Sequence, residues 1–151
     1  MINVIALGNT LRGDDAIGPV VLQELEKIPH AKDKMRLIDA GSDAFTLLEY
    51  LNGPRPNVVV DCAEMREAPG TVRTFALNEK TLRWADEAIS LHGFSLAEVW
   101  AMAQAVGRVA PTLLIGVQPV RVEFNEELSE PVRKAIPKIL ELIIKESEKY
   151  A

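Results

Sequence analysis

Short apolar runs alternate along the chain with segments in which apolar residues recur every three or four positions. The runs predict strands at Ile2–Leu7, Met35–Ile38, Val58–Val60, Val72–Leu77 and Thr112–Val117. The segments between them carry the 3.6-residue spacing of amphipathic helices. This alternation is typical of an α/β domain in which crossover helices cover both faces of a parallel sheet. The sequence therefore predicts one domain over residues 1–151, a three-layer sandwich whose twisted, mostly parallel sheet has about five strands with helices on both faces.

The helices are marked by their ends as much as by their apolar stripes. Either Asp14 or Asp15 would cap the first helix, directly after the loop that follows the first strand. The segment Ser95–Val106 begins with the spacing of a capping box, which predicts a helix that starts at Ser95 and runs to about Val106. The tail Ser129–Ser147 predicts a long amphipathic helix, which Pro137 should kink unless the helix begins again there.

The composition indicates which classes of binding partner and which cellular location to expect. The 151 residues are 48% hydrophobic and 26% charged, as in globular proteins, and no apolar run approaches the roughly 18 residues of a membrane span. Met1-Ile2-Asn3 lacks the basic start of a signal peptide. The net charge is -5 and 5% of the residues are aromatic, which argues against nucleic acid. We expect a cytoplasmic protein without membrane insertion, and a monomer.

Acidic residues follow three of the predicted strands. Asp14 and Asp15 come after the first strand, Asp39 ends the second and Asp61 ends the third. A lone aspartate in such a place is most often a helix cap or a turn residue. Ligands of open α/β sheets, however, bind beyond the carboxyl ends of the strands, and there these acids would meet. Asp15, Asp61 and His92 would offer a cation two hard oxygens and one imidazole, with positions left for water or a substrate group.

The loop Gly8–Asp15 has the Gly-x4-Gly spacing of a phosphate loop, but the residues after its second glycine argue against a phosphate. Lys followed by Ser or Thr would be needed there, whereas Asp14 and Asp15 would repel the ligand. The dinucleotide fingerprint Gly-x-Gly-x-x-Gly is also missing after the strand. A flavodoxin-like nucleotide binder is the weakest of the interpretations that remain.

His92 and Cys62 are each open to more than one interpretation. Residues 78–94 show the least regular pattern, and the sequence does not decide whether Lys80–Ala88 forms a short helix. His92, which lies in this stretch, is either a metal ligand or a side chain that only bonds a backbone group. Cys62 is the single cysteine, which excludes an internal disulfide or a multi-cysteine zinc site. Next to Asp61, it is a soft ligand, a nucleophile or, as is commoner, a buried structural residue.

The loop that starts Gly8-Asn9-Thr10-Leu11-Arg12-Gly13-Asp14-Asp15 closely resembles the opening motif of the hydrogenase maturation endopeptidases. These enzymes trim a C-terminal peptide from the large subunit of nickel-iron hydrogenases. Further segments are similar to later motifs of the family and extend the resemblance over residues 2–147: Ile38–Ser42, Val59–Asp61, Pro69-Gly70, His92 and Ile115–Pro119.

The resemblance implies a metal-dependent endopeptidase that acts on a hydrogenase large-subunit precursor after nickel insertion. Asp15, Asp61 and His92 carry over as metal ligands, and the nickel would be supplied by the precursor. Asp39 would orient a water or contact the substrate. Two departures concern the geometry: some members have Glu where this chain has Asp15, and Ala40 replaces a glycine of the second motif. A non-catalytic nickel-sensing or scaffold protein of the same fold is the alternative.

Overall fold

The strands form one mixed sheet with the order β2-β1-β3-β5-β4. The structure is a computed structural model that describes residues 1–82, 91, 94–120 and 127–151. Its strands are β1 (Ile2–Leu7), β2 (Met35–Gly41), β3 (Asn57–Cys62), β4 (Val72–Ala76) and β5 (Thr112–Val117). β1 pairs in parallel with β2 and β3, and β3 with β5, whereas β4 runs antiparallel to β5. The predicted mostly parallel sheet is confirmed.

Helices cover both faces of this sheet, as predicted. They are α1 (Ile17–Glu26), α2 (Ala44–Leu51), α3 (Leu96–Val106) and α4 (Glu130–Lys149). α1 and α4 pack on one face with Val4 and Ala6 of β1, while α2 and α3 pack on the other with Ile5 and Leu7. Because successive side chains of a strand point to opposite faces, β1 is buried along its whole length.

Two strands continue beyond their apolar runs and take site residues with them. β2 reaches Gly41, so Asp39 lies within the strand and is paired with Ala6 of β1. β3 includes Asp61 and Cys62, and Asp61 is paired with Gly116 of β5. The main-chain ladder continues through polar residues, so an apolar run marks only the part of a strand that both helical layers cover.

The prediction that Asp14 or Asp15 caps α1 is wrong. Both lie in a short 3-10 helix, Gly13–Ala16, and the N-cap position of α1 is Ala16, which has no side-chain cap bond. Their carboxylates accept hydrogen bonds from other segments, described below, and the tightly wound turn leads directly into the helix.

The helices predicted over Ser95–Val106 and Ser129–Ser147 are both present in the structure. Ser95 and Glu98 form the predicted capping box. Ser129 holds the N-cap position of α4 without a side-chain cap bond, and the helix continues through Pro137 to Lys149. The sequence leaves a short helix over Lys80–Ala88 undecided. The structure has a helical turn over residues 79–82, and residues 83–88 lie outside the described residues. Within the described ranges, no helix has the length and apolar character of a membrane span.

Candidate active site

Asp15 and Asp61 meet at the carboxyl edge of the sheet, where β1 and β3 lie side by side. One carboxylate oxygen of each and the sulfur of Cys62 all lie within 4.8 Å of one another. The loop after β1 carries Asp15 to the end of β3 because parallel neighbours end at the same edge. The structure thus brings together two of the three predicted ligands, and it adds Cys62.

The Gly8–Asp15 loop folds back so that Asp15 faces the site. Gly8 has φ +114°, and a Cβ there would collide with the main-chain oxygen of Asp15. The main-chain N–H of Asn9 donates to Asp15 Oδ2 at 2.9 Å, and that of Asp15 donates to the Arg12 carbonyl at 3.0 Å. The glycine that suggested a phosphate loop therefore serves a close backbone approach to an aspartate.

Asp14 points away from the site and is fully buried. It accepts hydrogen bonds from Val120 N at 2.7 Å, from Ser129 N at 2.7 Å and from Ser129 Oγ at 2.8 Å. The residue thus ties the loop after β1 to the segment after β5 and to the start of α4. Sequence reasoning missed this role, because the bonds join residues more than a hundred positions apart.

Asp61 is a buried carboxyl with a second carboxyl beside it. Its residue is 3% exposed, and its Oδ1 accepts a hydrogen bond of 2.8 Å from the main-chain N–H of Cys62. Burial and then the negative charge of Asp15 raise the pKa of Asp61 well above its usual range, although the bond from Cys62 opposes the shift. A cation between the two carboxylates would relieve this repulsion.

Cys62 is half-buried and donates its thiol hydrogen to Asp15 Oδ1, with a Sγ to Oδ1 distance of 3.2 Å. Burial, followed by the charges of Asp61 and Asp15, raises the pKa of the thiol far above its usual value. At neutral pH Cys62 is therefore a protonated donor that helps to orient Asp15, which does not suit a thiolate nucleophile.

Of the other two predicted residues, Asp39 does not join this cluster. Asp39 is exposed on β2, on the far side of β1 from Asp61, and its Oδ1 accepts from Gly41 N at 3.1 Å. Asp39 therefore lies at the same end of the sheet as Asp15 and Asp61 but outside the carboxylate pair. His92 lies outside the described residues.

The donor set of Asp15, Asp61 and Cys62 has the chemistry to hold a divalent cation. Two carboxylates offer hard oxygens, and the nearby sulfur offers a soft donor once a metal displaces its proton. These side chains leave coordination positions open, as in catalytic rather than closed structural metal sites.

Comparisons with known proteins agree with this architecture. The model of the HycI family, described as hydrogenase maturation protease, matches residues 19–146. The hydrogenase maturating endopeptidase HybD from E. coli superimposes with a TM-score of 0.82 at 25% identity, covering 100% of this chain and 94% of that chain. The [NiFe] hydrogenase maturation protease HybD from Thermococcus kodakarensis gives 0.76 at 25% identity, with 97% and 99% covered.

Curated relatives point the same way. The coenzyme F420 hydrogenase subunit delta of Methanothermobacter thermautotrophicus is 30% identical, with 95% of this chain and 92% of that protein aligned. The hydrogenase expression/formation protein HupD of Rhizobium leguminosarum is 27% identical, with 94% and 71% aligned. The chain belongs to the hydrogenase maturation protease family, which confirms the resemblance found in its motifs. The family is one of proteases, and membership supports a processing role in hydrogenase maturation.

Proposed function

We propose that the protein is an endopeptidase that removes the C-terminal extension of a nickel-iron hydrogenase large-subunit precursor after nickel insertion. Asp15, Asp61 and His92 bind the nickel that the precursor carries. The observation that carries the proposal is the convergence of Asp15 and Asp61 within 4.8 Å, with Asp61 buried. Such a pair is electrostatically costly until a cation arrives.

The nickel belongs to the substrate in this proposal, so the chain itself supplies only part of its coordination. Asp15 and Asp61 contribute carboxylate oxygens, and the thiol of Cys62 holds Asp15 in place until the metal binds. The remaining positions are filled by groups of the precursor. A precursor without nickel offers nothing to relieve the repulsion between the carboxylates, which couples cleavage to completed metal loading.

Peptide hydrolysis at this site needs an activated carbonyl or an activated water. A metal bound here supplies a Lewis acid for the scissile carbonyl or lowers the pKa of a bound water. Asp39, exposed at the same end of the sheet, orients that water or contacts the substrate. The proposal places the reaction in the cytoplasm and takes the protein to act as a monomer.

Variants of the two carboxylates test this function. A nickel-loaded large-subunit precursor is incubated with the wild-type protein, with Asp15→Asn and with Asp61→Asn, and the intact masses of the products are measured. Asp43→Asn is the matched control, because Asp43 is exposed and caps α2, a role that Asn also fills. His92→Ala tests the third ligand in the same assay.

We expect the wild-type protein and Asp43→Asn to release the extension, and the three site variants to leave the precursor intact. Cleavage by Asp61→Asn at the wild-type rate would refute the metal role of the pair. A wild-type protein that binds the loaded precursor without cutting it would instead be the nickel-sensing or scaffold protein.

A further inference from the structure

β4 is an edge strand of the sheet, and two of its residues direct main-chain hydrogen-bonding groups outward. At its two ends, Leu77 N donates to the Thr112 carbonyl at 2.8 Å, and Gln118 N donates to the Thr71 carbonyl at 2.9 Å. Bonded positions alternate along an antiparallel ladder, so Val72 and Thr74 direct their N–H and C=O groups away from β5. Over the described ranges of the chain, no strand pairs with that side of β4.

This edge passes close to the two carboxylates. Arg73 of β4 is paired with Gly116 of β5, and Gly116 is paired with Asp61 of β3. Two strand spacings, about 10 Å, therefore separate the main chain of β4 from that of Asp61. An extended chain laid along the edge would reach the level of Asp61 at the start of β4.

Hollows flank the edge on both faces of the sheet. One of about 390 Å³ lies over Met65, Phe75 and Lys80. Another of about 450 Å³ lies beside Val72 and is lined by residues that include Pro69, Lys134 and Lys138. An added strand points its side chains alternately to the two faces, so both hollows would receive side chains of one bound segment.

The charged residues that line the two hollows are four basic and one acidic, although the chain as a whole carries -5. Arg73 pairs with Glu67, at 3.1 Å between Nη2 and Oε1. Lys80, Lys134 and Lys138 line the hollows and make no ion pair in the part of the chain that the structure describes. A bound segment with acidic side chains would complement these cations.

We propose that the C-terminal region of the precursor docks on β4 as an added strand: an extended, acidic segment whose main chain pairs with Val72 and Thr74. The inference rests on the proposed function for the identity of the segment. It explains how the protein could hold a flexible tail in an extended form beside the carboxylates, since main-chain pairing gives affinity and the hollows give selectivity.

Thr74→Pro tests the docking strand. Proline removes the outward N–H of Thr74 and leaves the bonds to β5 in place, which edge strands tolerate. Thr74→Ala is the reference, because it removes the same side chain and keeps the N–H. The substrate is the nickel-loaded precursor, and we expect the KM of Thr74→Pro to exceed that of Thr74→Ala about tenfold, with similar kcat. Equal KM values would overturn the inference.

Amide hydrogen exchange on the wild-type protein provides a test that needs neither the variant nor cleavage. The probe is a synthetic peptide that contains the extension of the precursor and the residues just before it. Slower exchange at the N–H groups of Val72 and Thr74 on adding the peptide supports the inference; unchanged exchange overturns it. If circular dichroism shows that Thr74→Pro is unfolded, the hydrogen-exchange measurement alone decides whether the inference holds.

The acidic character of the segment has its own test. The double substitution Lys134→Glu and Lys138→Glu should raise the KM for the loaded precursor several-fold at low salt, and an unchanged KM would overturn the charge assignment.

The proposed function and the docking strand can each be refuted without the other. Protection at Val72 and Thr74 without cleavage of the precursor refutes the proposed function, whereas cleavage without protection or a KM effect refutes the docking strand.

Discussion

Replacing Asp61 by Asn should make the metal-free protein more stable while it abolishes processing. Asp61 is 3% exposed, and one of its oxygens lies within 4.8 Å of a carboxylate oxygen of Asp15. Asn has nearly the same size, and its Oδ1 can still accept the hydrogen bond from Cys62 N. The substitution therefore removes mainly a buried negative charge, and stability and function respond in opposite directions.

The separation of the two carboxylates sets the size of the effect. Two unit charges 4.8 Å apart repel each other by about 3.5 kcal/mol at an effective dielectric constant of about 20. Part of this cost is avoided in the wild-type protein when Asp61 takes up a proton. We therefore expect Asp61→Asn to raise the free energy of unfolding by about 1–3 kcal/mol near pH 8.

The gain should depend on pH in a defined direction. Burial and the charge of Asp15 raise the pKa of Asp61 in the folded state, so folded protein holds this proton more tightly than unfolded protein does. The stabilisation that protonation gives the wild-type protein is complete below the unfolded pKa, near 4, and is lost as the pH rises through the folded pKa. The advantage of Asp61→Asn should thus be small near pH 4 and grow towards pH 8.

The assay is urea unfolding in the presence of a chelator, for the wild-type protein, Asp15→Asn, Asp61→Asn and the double variant. In this double-mutant cycle, the gain from Asp61→Asn should shrink once Asp15 is neutral, because the repulsion is then already gone. If Asp61→Asn is less stable than the wild-type protein at every pH and the coupling is zero, the electrostatic reasoning is refuted.

Three further substitutions separate structural from functional residues around the site. Asp14→Ala should lower the free energy of unfolding by about 2–4 kcal/mol, because it leaves the buried main-chain and hydroxyl donors of Ser129 without their acceptor; urea unfolding measures this, and a loss below about 1 kcal/mol would contradict the role. Gly8→Ala should keep the fold but slow processing about tenfold or more, since the new Cβ displaces the main chain of Asp15, and a wild-type rate would show that the loop adapts. Cys62→Ser should retain processing within about threefold, because the hydroxyl can still donate to Asp15; an inactive, folded variant would point to a chemical role for the sulfur.

The centre of the sheet could be predicted from the sequence because β1, β3 and β5 are buried along nearly their whole length. Ile2–Leu7 and Thr112–Val117 coincide with their mainly apolar runs, since two helical layers bury nearly every position of these strands. Strand ends escaped prediction where the ladder continues through Asp39 or Asp61, because main-chain pairing does not depend on side-chain polarity.

The candidate site could be predicted from the sequence only in part, and the reason differs from that for the strand ends. The position of Asp15 and Asp61 after parallel strands predicted their meeting, which the structure shows. The opposite orientations of Asp14 and Asp15 follow from the 3-10 helix and from contacts with Ser129, distant in the chain. The sequence separation of such partners hides them from any local pattern.

The central claim, that cleavage depends on the metal held by the substrate, is tested most directly by a pair of precursors that differ only in nickel. The nickel-loaded and the nickel-free large-subunit precursor are each incubated with the metal-free wild-type protein, and intact mass is followed over time. We predict loss of the C-terminal peptide from the loaded precursor alone. Cleavage of both precursors at the same rate would contradict the claim.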